Sequence, residues 1–171
     1  NLPEGPCIIT PNHQSFFDGF FLAAVFRNRL MKNTYFYAKE KHFRSGWLKA
    51  FARKHNIIIM DINKDLKQSI QKLADLLNKG KNIIIFPEGT RSKDGRLGQF
   101  KKTFAILSQE LNIPVVPVMI NGSFSALPSG SWLPKPFSRI DIRILQPVYP
   151  ENHTYDSLRD MVFNKISYEL K

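Results

Sequence analysis

The chain is organised around one stretch, Asn12-His13-Gln14-Ser15-Phe16-Phe17-Asp18. It follows a short apolar run, 7–10, which predicts a buried β-strand. We expect Pro11 to end that strand, because proline cannot donate to a sheet ladder. The apolar segment 17–26 predicts a helix directly after the loop. His13 therefore falls at a strand end and Asp18 in the first helical turn, close enough for their side chains to face each other.

A histidine held by a carboxylate is a candidate general base. The carboxylate fixes one imidazole tautomer and stabilises the cation that forms when the ring takes a proton. The sequence contains no Gly-x-Ser-x-Gly elbow, so an acyl-enzyme on serine is not expected, and the group to be deprotonated would be a substrate hydroxyl. A histidine and an aspartate at this spacing also occur by chance. The pair alone therefore leaves a purely structural role open.

A second motif follows a predicted strand over 82–86 and reads Phe86-Pro87-Glu88-Gly89-Thr90-Arg91-Ser92. Gly89 permits a turn that a side chain would obstruct, and Arg91 offers a planar donor fork that suits a phosphate. Thr90 can add a hydroxyl contact. Glu88 would repel a phosphate directly, so we expect it to orient Arg91 or a substrate hydroxyl. In isolation, the same residues are also compatible with an ordinary turn and a solvated arginine.

With both motifs in place, the chain resembles the glycerolipid acyltransferases, the superfamily of the lysophosphatidate and glycerol-phosphate acyltransferases. Members carry a His-four-residues-Asp motif preceded by Asn, and a Phe-Pro-Glu-Gly-Thr-Arg block. Both occur here in the same order, and the resemblance covers nearly the whole chain. The resemblance implies that His13 and Asp18 are catalytic. It also implies that the second block binds the acceptor's phosphate, with Lys39, which follows Ala38 at a strand end, beside Arg91.

One departure from the family pattern concerns the acceptor. Family members often have an arginine at the end of the third strand, where this chain has Met60-Asp61-Ile62-Asn63. The headgroup of the acceptor therefore stays open, and Lys64 or Lys39 is an alternative source of positive charge.

The resemblance implies an O-acyltransferase of phospholipid synthesis. It would move a fatty acyl group from acyl-CoA or acyl-carrier protein, as co-substrate, to the hydroxyl of a lysophospholipid, with lysophosphatidate as the expected acceptor. No cofactor and no metal ion are expected. The alternative is a non-catalytic basic module that docks on anionic membrane lipid. The expected location is the cytoplasmic side of a membrane, either peripheral or anchored through a further segment.

Charge supports an anionic partner of some kind. The formal net charge is +11, and nine Lys or Arg against one acid lie between Arg27 and Lys54. A solvated basic surface, an anionic lipid surface, a substrate phosphate and nucleic acid all fit this imbalance. The sequence contains no nucleic-acid-binding motif, so no nucleic-acid partner is expected. No apolar run reaches the roughly 18 residues of a membrane span.

Alternating apolar strands and amphipathic helices predict an α/β fold with a central, mostly parallel sheet flanked by helices, like that of the glycerol-phosphate acyltransferases. Pro117 suggests an edge position or a bulge for its strand. Because the first strand begins only a few residues after Asn1, we expect 1–171 to be a single acyltransferase domain of a longer chain. The predicted strands are 7–10, 34–38, 57–60, 82–86, 114–120 and 139–145, and the predicted helices are 17–26, 46–55, 65–79, 102–111 and 155–170.

Two apolar groups have open interpretations. An aromatic cluster close to His13 could line a channel for the acyl chain or belong to the core; it comprises Phe16, Phe17, Phe20, Phe21 and Leu22. The irregular segment 123–138 combines aromatics with cations, which suits a bilayer interface, but it could equally fold its aromatics inward.

Overall fold

A computed structural model of the chain describes residues 2–26, 28–39, 57–60, 66–126, 135 and 138–170. Within these residues the strands are β1 (Ile8–Pro11), β2 (Thr34–Lys39), β3 (Ile57–Met60), β4 (Asn82–Ile84), β5 (Val115–Asn121) and β6 (Asp141–Ile144). The helices are α1 (Asp18–Val25), α2 (Asn28–Lys32), α3 (Leu66–Asn78), α4 (Thr103–Leu111), α5 (Ser123–Ala126) and α6 (Tyr155–Glu169). The predicted helix over 46–55 lies outside the described residues.

The described strands form one sheet in the order β3-β2-β4-β1-β5-β6. Its first five strands run parallel, and β6 pairs antiparallel with β5 at the edge. The predicted fold class is therefore confirmed. Because the carboxyl ends of parallel strands meet at one edge, the loops after β1 and β4, which carry the two sequence motifs, leave the sheet side by side.

Side chains alternate between the two faces of the sheet and bury it on both sides. On one face, Leu73 and Leu77 of α3 pack with Phe104 of α4 and with α6, whose Leu158, Val162 and Ile166 face inward. On the other face, Leu22 of α1 and Phe26 pack on Cys7, Ile9, Ile84 and alternate residues of β5. A buried amide side chain links two strands here, since the Cys7 N–H donates to Asn82 Oδ1 at 3.1 Å.

Pro117 does not mark an edge, so that half of the prediction was wrong. The pairing beside it does have the irregularity of a bulge, because Leu145 pairs with Pro117 and Val148 with Val115, which leaves two residues opposite Val116. Pro117 lies in β5 between β1 and β6, in register with Thr10. The Leu145 N–H donates to the Pro117 carbonyl at 2.9 Å, so the carbonyl, and with it the proline nitrogen, points toward β6. That is one residue past the end of β6, where the regular ladder is interrupted before the bridge between Val115 and Val148. The missing donor thus removes only the last hydrogen bond of the regular ladder.

Candidate active site

The loop after β1 is tied to β5 by the buried side chain of Asn12. The Asn12 Nδ2 group donates to the Ile120 carbonyl at 2.8 Å, and the Ile120 N–H donates to Asn12 Oδ1 at 2.7 Å. The Asn12 side chain therefore continues the parallel ladder one residue beyond Pro11, which is itself the last residue of β1 rather than the residue after it. His13 leaves the sheet from this fixed point.

The histidine and the aspartate face each other as the spacing predicts. His13 Nδ1 lies 2.9 Å from Asp18 Oδ2, and Asp18, in the first turn of α1, is fully buried. The His13 side chain is 20% exposed, and its ring lies 4.1 Å from that of Phe86 between centroids. The imidazole is thus packed on one side, paired through Nδ1 and partly accessible to solvent.

Asp18 also organises the loop between the two residues. Its Oδ2 accepts the N–H groups of Gln14 and Ser15, both at 2.7 Å, besides facing the His13 ring. Oδ2 therefore acts as a hydrogen-bond acceptor toward every group that faces it. An acceptor opposite Nδ1 selects the His13 tautomer with the proton on that nitrogen, which leaves Nε2 as the proton acceptor.

The second motif is attached directly to the first. The His13 N–H donates to Glu88 Oε1 at 2.7 Å, and the Ser92 N–H donates to the His13 carbonyl at 2.8 Å. Further along, Gln14 Nε2 donates to the Gly95 carbonyl at 2.8 Å. These three hydrogen bonds bring the two loops together on one side of the molecule.

Glu88 does not occupy the position expected from the sequence. Instead of orienting Arg91 or facing a substrate hydroxyl, it is 7% exposed, and its second oxygen, Oε2, accepts the Gly98 N–H at 2.8 Å. Burial raises the pKa of this carboxyl to about 7, although the two amide hydrogen bonds act in the opposite direction. Its observed contacts are with backbone.

The remaining residues of the phosphate block are closer to the prediction. Gly89 has a φ of +68°, a conformation that L side chains rarely adopt, so the turn does require glycine. Thr90 is exposed, and the guanidinium carbon of Arg91 lies 5.9 Å from the ring centroid of Phe16, in the histidine loop. Arg91 thus reaches the same loop as His13. Lys39 ends β2 at the same edge of the sheet, but its side chain lies outside the described part of the structure, as do Asp61, Asn63 and Lys64.

Sequence reasoning missed several residues of the site. Gln14 and Ser92 connect the loops through hydrogen bonds, and Gly98 receives the Glu88 carboxylate. Lys101 lies against Gly89, with its Nζ 3.1 Å from where a β-carbon would stand. Only Gln14 and Ser92 fall inside the motifs; no pattern in the sequence distinguishes Gly98 or Lys101 from other loop residues.

The aromatic cluster divides between core and surface. Leu22 is fully buried and belongs to the core, whereas Phe16 is 51% and Phe20 47% exposed. Phe17 and Phe21 are half-buried. Most of the other aromatic segment, 127–134 and 136–137, lies outside the described residues.

Two kinds of feature are absent from the residues that the structure describes. No group of three His, Cys, Asp or Glu side chains there could hold a metal ion. No described helix has both the length and the apolar character needed to cross a bilayer.

Known proteins match both the sequence and the fold. The acyltransferase family model matches residues 1–121. A chloroplastic 1-acyl-sn-glycerol-3-phosphate acyltransferase of Brassica napus is 33% identical over 98% of this chain and 48% of its own length. The 1-acyl-sn-glycerol-3-phosphate acyltransferase of Pseudomonas aeruginosa is 31% identical over 80% of this chain and 52% of its own. The crystal structure of the Thermotoga maritima 1-acyl-sn-glycerophosphate acyltransferase superposes with a TM-score of 0.78 at 26% identity, covering 99% of this chain and 66% of that one.

The chain belongs to the acyltransferase family. It spans about half the length of the curated relatives it matches.

Proposed function

We propose that this protein is an O-acyltransferase that moves a fatty acyl group from a thioester to the hydroxyl of lysophosphatidate. The observation that carries the proposal is the joining of the two motifs. A histidine paired with a buried aspartate and a loop presenting an arginine are held together by direct hydrogen bonds. The relatives named 1-acyl-sn-glycerol-3-phosphate acyltransferase support the same acceptor class.

The chemistry that this arrangement can perform is a direct transfer. His13 Nε2 takes the proton of the acceptor hydroxyl as its oxygen attacks the thioester carbonyl carbon. The tetrahedral intermediate then expels the thiolate, and the imidazolium returns the proton to that sulfur. A thiol with a pKa near that of free cysteine, about 8.5, leaves with little acid assistance, so one base is sufficient. Asp18 stabilises the imidazolium while it exists.

Arg91 is the proposed ligand of the acceptor's phosphate. Among the described residues no carboxylate is paired with its guanidinium, which leaves the planar fork available to an anion. Gly89 and Thr90 shape the turn that presents it, and Lys39 is proposed to add a second positive charge. Glu88, by contrast, is proposed to act on the loop rather than on the phosphate.

An acceptor panel tests the proposal. The purified protein would be given one labelled acyl-CoA and either glycerol phosphate or lysophospholipids that differ only in headgroup. We expect turnover with lysophosphatidate, loss of turnover in His13→Ala with an unchanged circular dichroism spectrum, and a raised acceptor KM in Arg91→Ala. His153→Ala provides the matched control, because His153 lies in the turn before α6 and accounts for none of the site's hydrogen bonds. Full turnover in His13→Ala would exclude this base.

The finer identity of the partners is also a proposal. We propose that the protein works at a membrane surface and takes acyl-CoA or acyl-carrier protein there, on the cytoplasmic side. Support comes from apolar side chains that α1 and its preceding loop expose beside the histidine: Phe16, Phe20 and Val25, each about half exposed. A net charge of +11 would draw this surface toward anionic headgroups.

Vesicle sedimentation tests the membrane surface. Phe20→Ser should reduce binding to vesicles that contain phosphatidic acid, because it removes an apolar ring from the proposed contact. The control is Tyr168→Ser on α6, which removes a more exposed ring from a helix that packs on the opposite face of the sheet. Equal losses in the two variants would contradict docking through α1.

A further inference from the structure

Glu88 is a buried carboxylate whose hydrogen-bond partners are backbone amides. Its two oxygens accept the backbone N–H groups of His13 and Gly98, at 2.7 and 2.8 Å, and its side chain is 7% exposed. Burial makes the charged form costly, as the raised pKa shows, and nearby Asp18 adds to that cost. A buried carboxyl group whose charged form is destabilised is a candidate for a functional role, because such groups concentrate at active sites.

The two amide donors come from different parts of the site. His13 follows β1 and carries the imidazole, while Gly98 lies ten residues beyond Glu88, at the far end of the loop that presents Arg91. The carboxylate therefore connects the start and the end of the second loop with the backbone of the first. The hydrogen bond from the His13 amide to Glu88 fixes the position of the His13 backbone. The contact between Asp18 and Nδ1 fixes the orientation of the imidazole ring.

The contact with Glu88 explains why position 98 is a glycine. A β-carbon at Gly98 would lie 2.9 Å from Glu88 Oε2, closer than real β-carbons approach another heavy atom. Yet its φ is outside the left-handed region, so its backbone would accept alanine without strain. The absence of a side chain at this position is therefore explained by the carboxylate that occupies the space.

We propose that Glu88 is a positioning residue for the reaction, which acts through the backbone amide of His13 and requires glycine at position 98. The inference rests on the proposed function, because it assigns His13 the role of base. A displacement of about 1 Å in a reacting group can cost on the order of 10²-fold in rate. Loss of the carboxylate would therefore lower turnover without removing any group that contacts substrate.

Steady-state kinetics on two independent variants test the role. Glu88→Gln keeps the shape of the side chain but replaces one acceptor oxygen with a donor that would oppose an amide N–H. Gly98→Ala keeps the carboxylate but displaces it. We expect each variant to lower kcat on the order of 10²-fold and to leave the KM values of the acceptor and of the acyl thioester within about twofold of wild type. The double variant should be no slower than the slower single variant, because both changes break the same contact.

Matched controls use the same chemical changes elsewhere. Gly19→Ala adds a methyl group in α1 at an ordinary 3.7 Å from Phe36, and Glu151→Gln neutralises an exposed acid in the turn before α6. Both should keep wild-type kcat. A raised acceptor KM with unchanged kcat in Glu88→Gln would overturn the proposal, because it would make Glu88 a substrate ligand. Additive losses in the double variant would overturn it as well.

The hydrogen bond from the His13 amide to the Glu88 carboxylate, here called the tether, can also be detected without measuring catalysis. In an NMR spectrum of the isotope-labelled protein, the His13 amide proton should resonate downfield because it is bound to a carboxylate, and it should move upfield in both Glu88→Gln and Gly98→Ala. An unmoved His13 amide signal in both variants would refute the tether. If the wild-type protein acylates no acceptor, the proposed function fails instead, and the amide signal still decides whether the tether exists.

Discussion

At the scale of single residues, His13 is held at three points that serve different purposes. Asp18 contacts its ring, Glu88 its amide hydrogen, and the Ser92 N–H its carbonyl oxygen. A side chain on a loop would ordinarily be mobile, and catalytic geometry needs a ring that is fixed in position and orientation. The three contacts replace the rigidity that a strand or helix would otherwise supply.

Asp18→Asn tests the choice of tautomer. The amide would still have the size of the carboxylate, but it would no longer select the proton on Nδ1 or stabilise the imidazolium. We expect kcat to fall by roughly 10²- to 10⁴-fold. Initial rates with lysophosphatidate, together with a thermal unfolding curve, would check this. A variant that retains full activity, whatever its unfolding temperature, would show that Asp18 has no role in catalysis.

The stability of the protein should depend on pH through Glu88. Its pKa is raised from 4.5 to about 7 in the folded state, so the folded protein binds this proton more tightly than the unfolded chain does. The stability contribution of the protonated group is fully present below pH 4.5 and is lost as the pH rises to about 7. Glu88→Gln cannot titrate at this position.

The comparison with Glu88→Gln isolates that contribution. From pH 4.5 to pH 8, the free energy of unfolding of the wild type should fall relative to that of Glu88→Gln, by up to roughly 3 kcal/mol. Urea denaturation of both proteins at several pH values measures the difference, in which the titration of all other groups cancels. A difference that does not change with pH would mean that the carboxyl titrates normally.

At the scale of elements, the junction between β1 and its loop depends on one amide side chain. Asn12 is 1% exposed, and its removal would leave the N–H and carbonyl of Ile120 without partners. We expect Asn12→Ala to lower the free energy of unfolding by about 2–4 kcal/mol. It should also reduce kcat, because His13 is the next residue. Asn164→Ala on the exposed face of α6 is the control and should change neither quantity.

The elements also show what could be predicted from the sequence. The apolar run 57–60 and the segment 155–170 predicted a strand and a helix, and the structure has both. Pro117 predicted an edge position or a bulge, and only the bulge agrees with the structure, because the cost of a proline depends on whether a partner strand still needs its N–H. The sequence does not say where the partner strand ends.

The candidate site divides in the same way. The pairing of His13 with Asp18 followed from local spacing, and the need for glycine at position 89 followed from backbone geometry. The contacts of Glu88 did not, because they join residues 75 and 10 positions away in the chain. A carboxylate whose partners are backbone amides leaves no complementary residue type in the sequence to be recognised.

At the scale of the whole molecule, the proposed membrane binding would have two separable contributions, from the surplus positive charge and from the apolar side chains that α1 and its preceding loop expose. The Debye length shrinks from about 10 Å at 0.1 M salt to about 3 Å at 1 M, so salt should weaken the electrostatic part and leave the apolar part. We expect binding to anionic vesicles to fall steeply over this range. Binding of Phe20→Ser should then become negligible at high salt, while the wild type keeps a residual fraction.

A kinetic control separates docking from catalysis. Turnover of a short-chain lysophosphatidate that is monomeric in solution should depend on salt far less than turnover of the same headgroup embedded in vesicles. Some dependence remains through Arg91, because it is proposed to bind the phosphate. Equal salt dependence with both forms of the acceptor would assign the whole effect to the substrate site rather than to the surface.

The only cysteine of the chain, Cys7, lies directly before β1 with 1% of its surface exposed, and burial raises the pKa of its thiol to about 12. At neutral pH the thiol of the folded protein should therefore not react with maleimides or disulfide reagents, because these react with thiolates. A cysteine introduced at an exposed position such as Val25 would then be the single labelling site, with no need to remove the native thiol. A fluorophore attached there could report how deeply α1 enters a lipid bilayer.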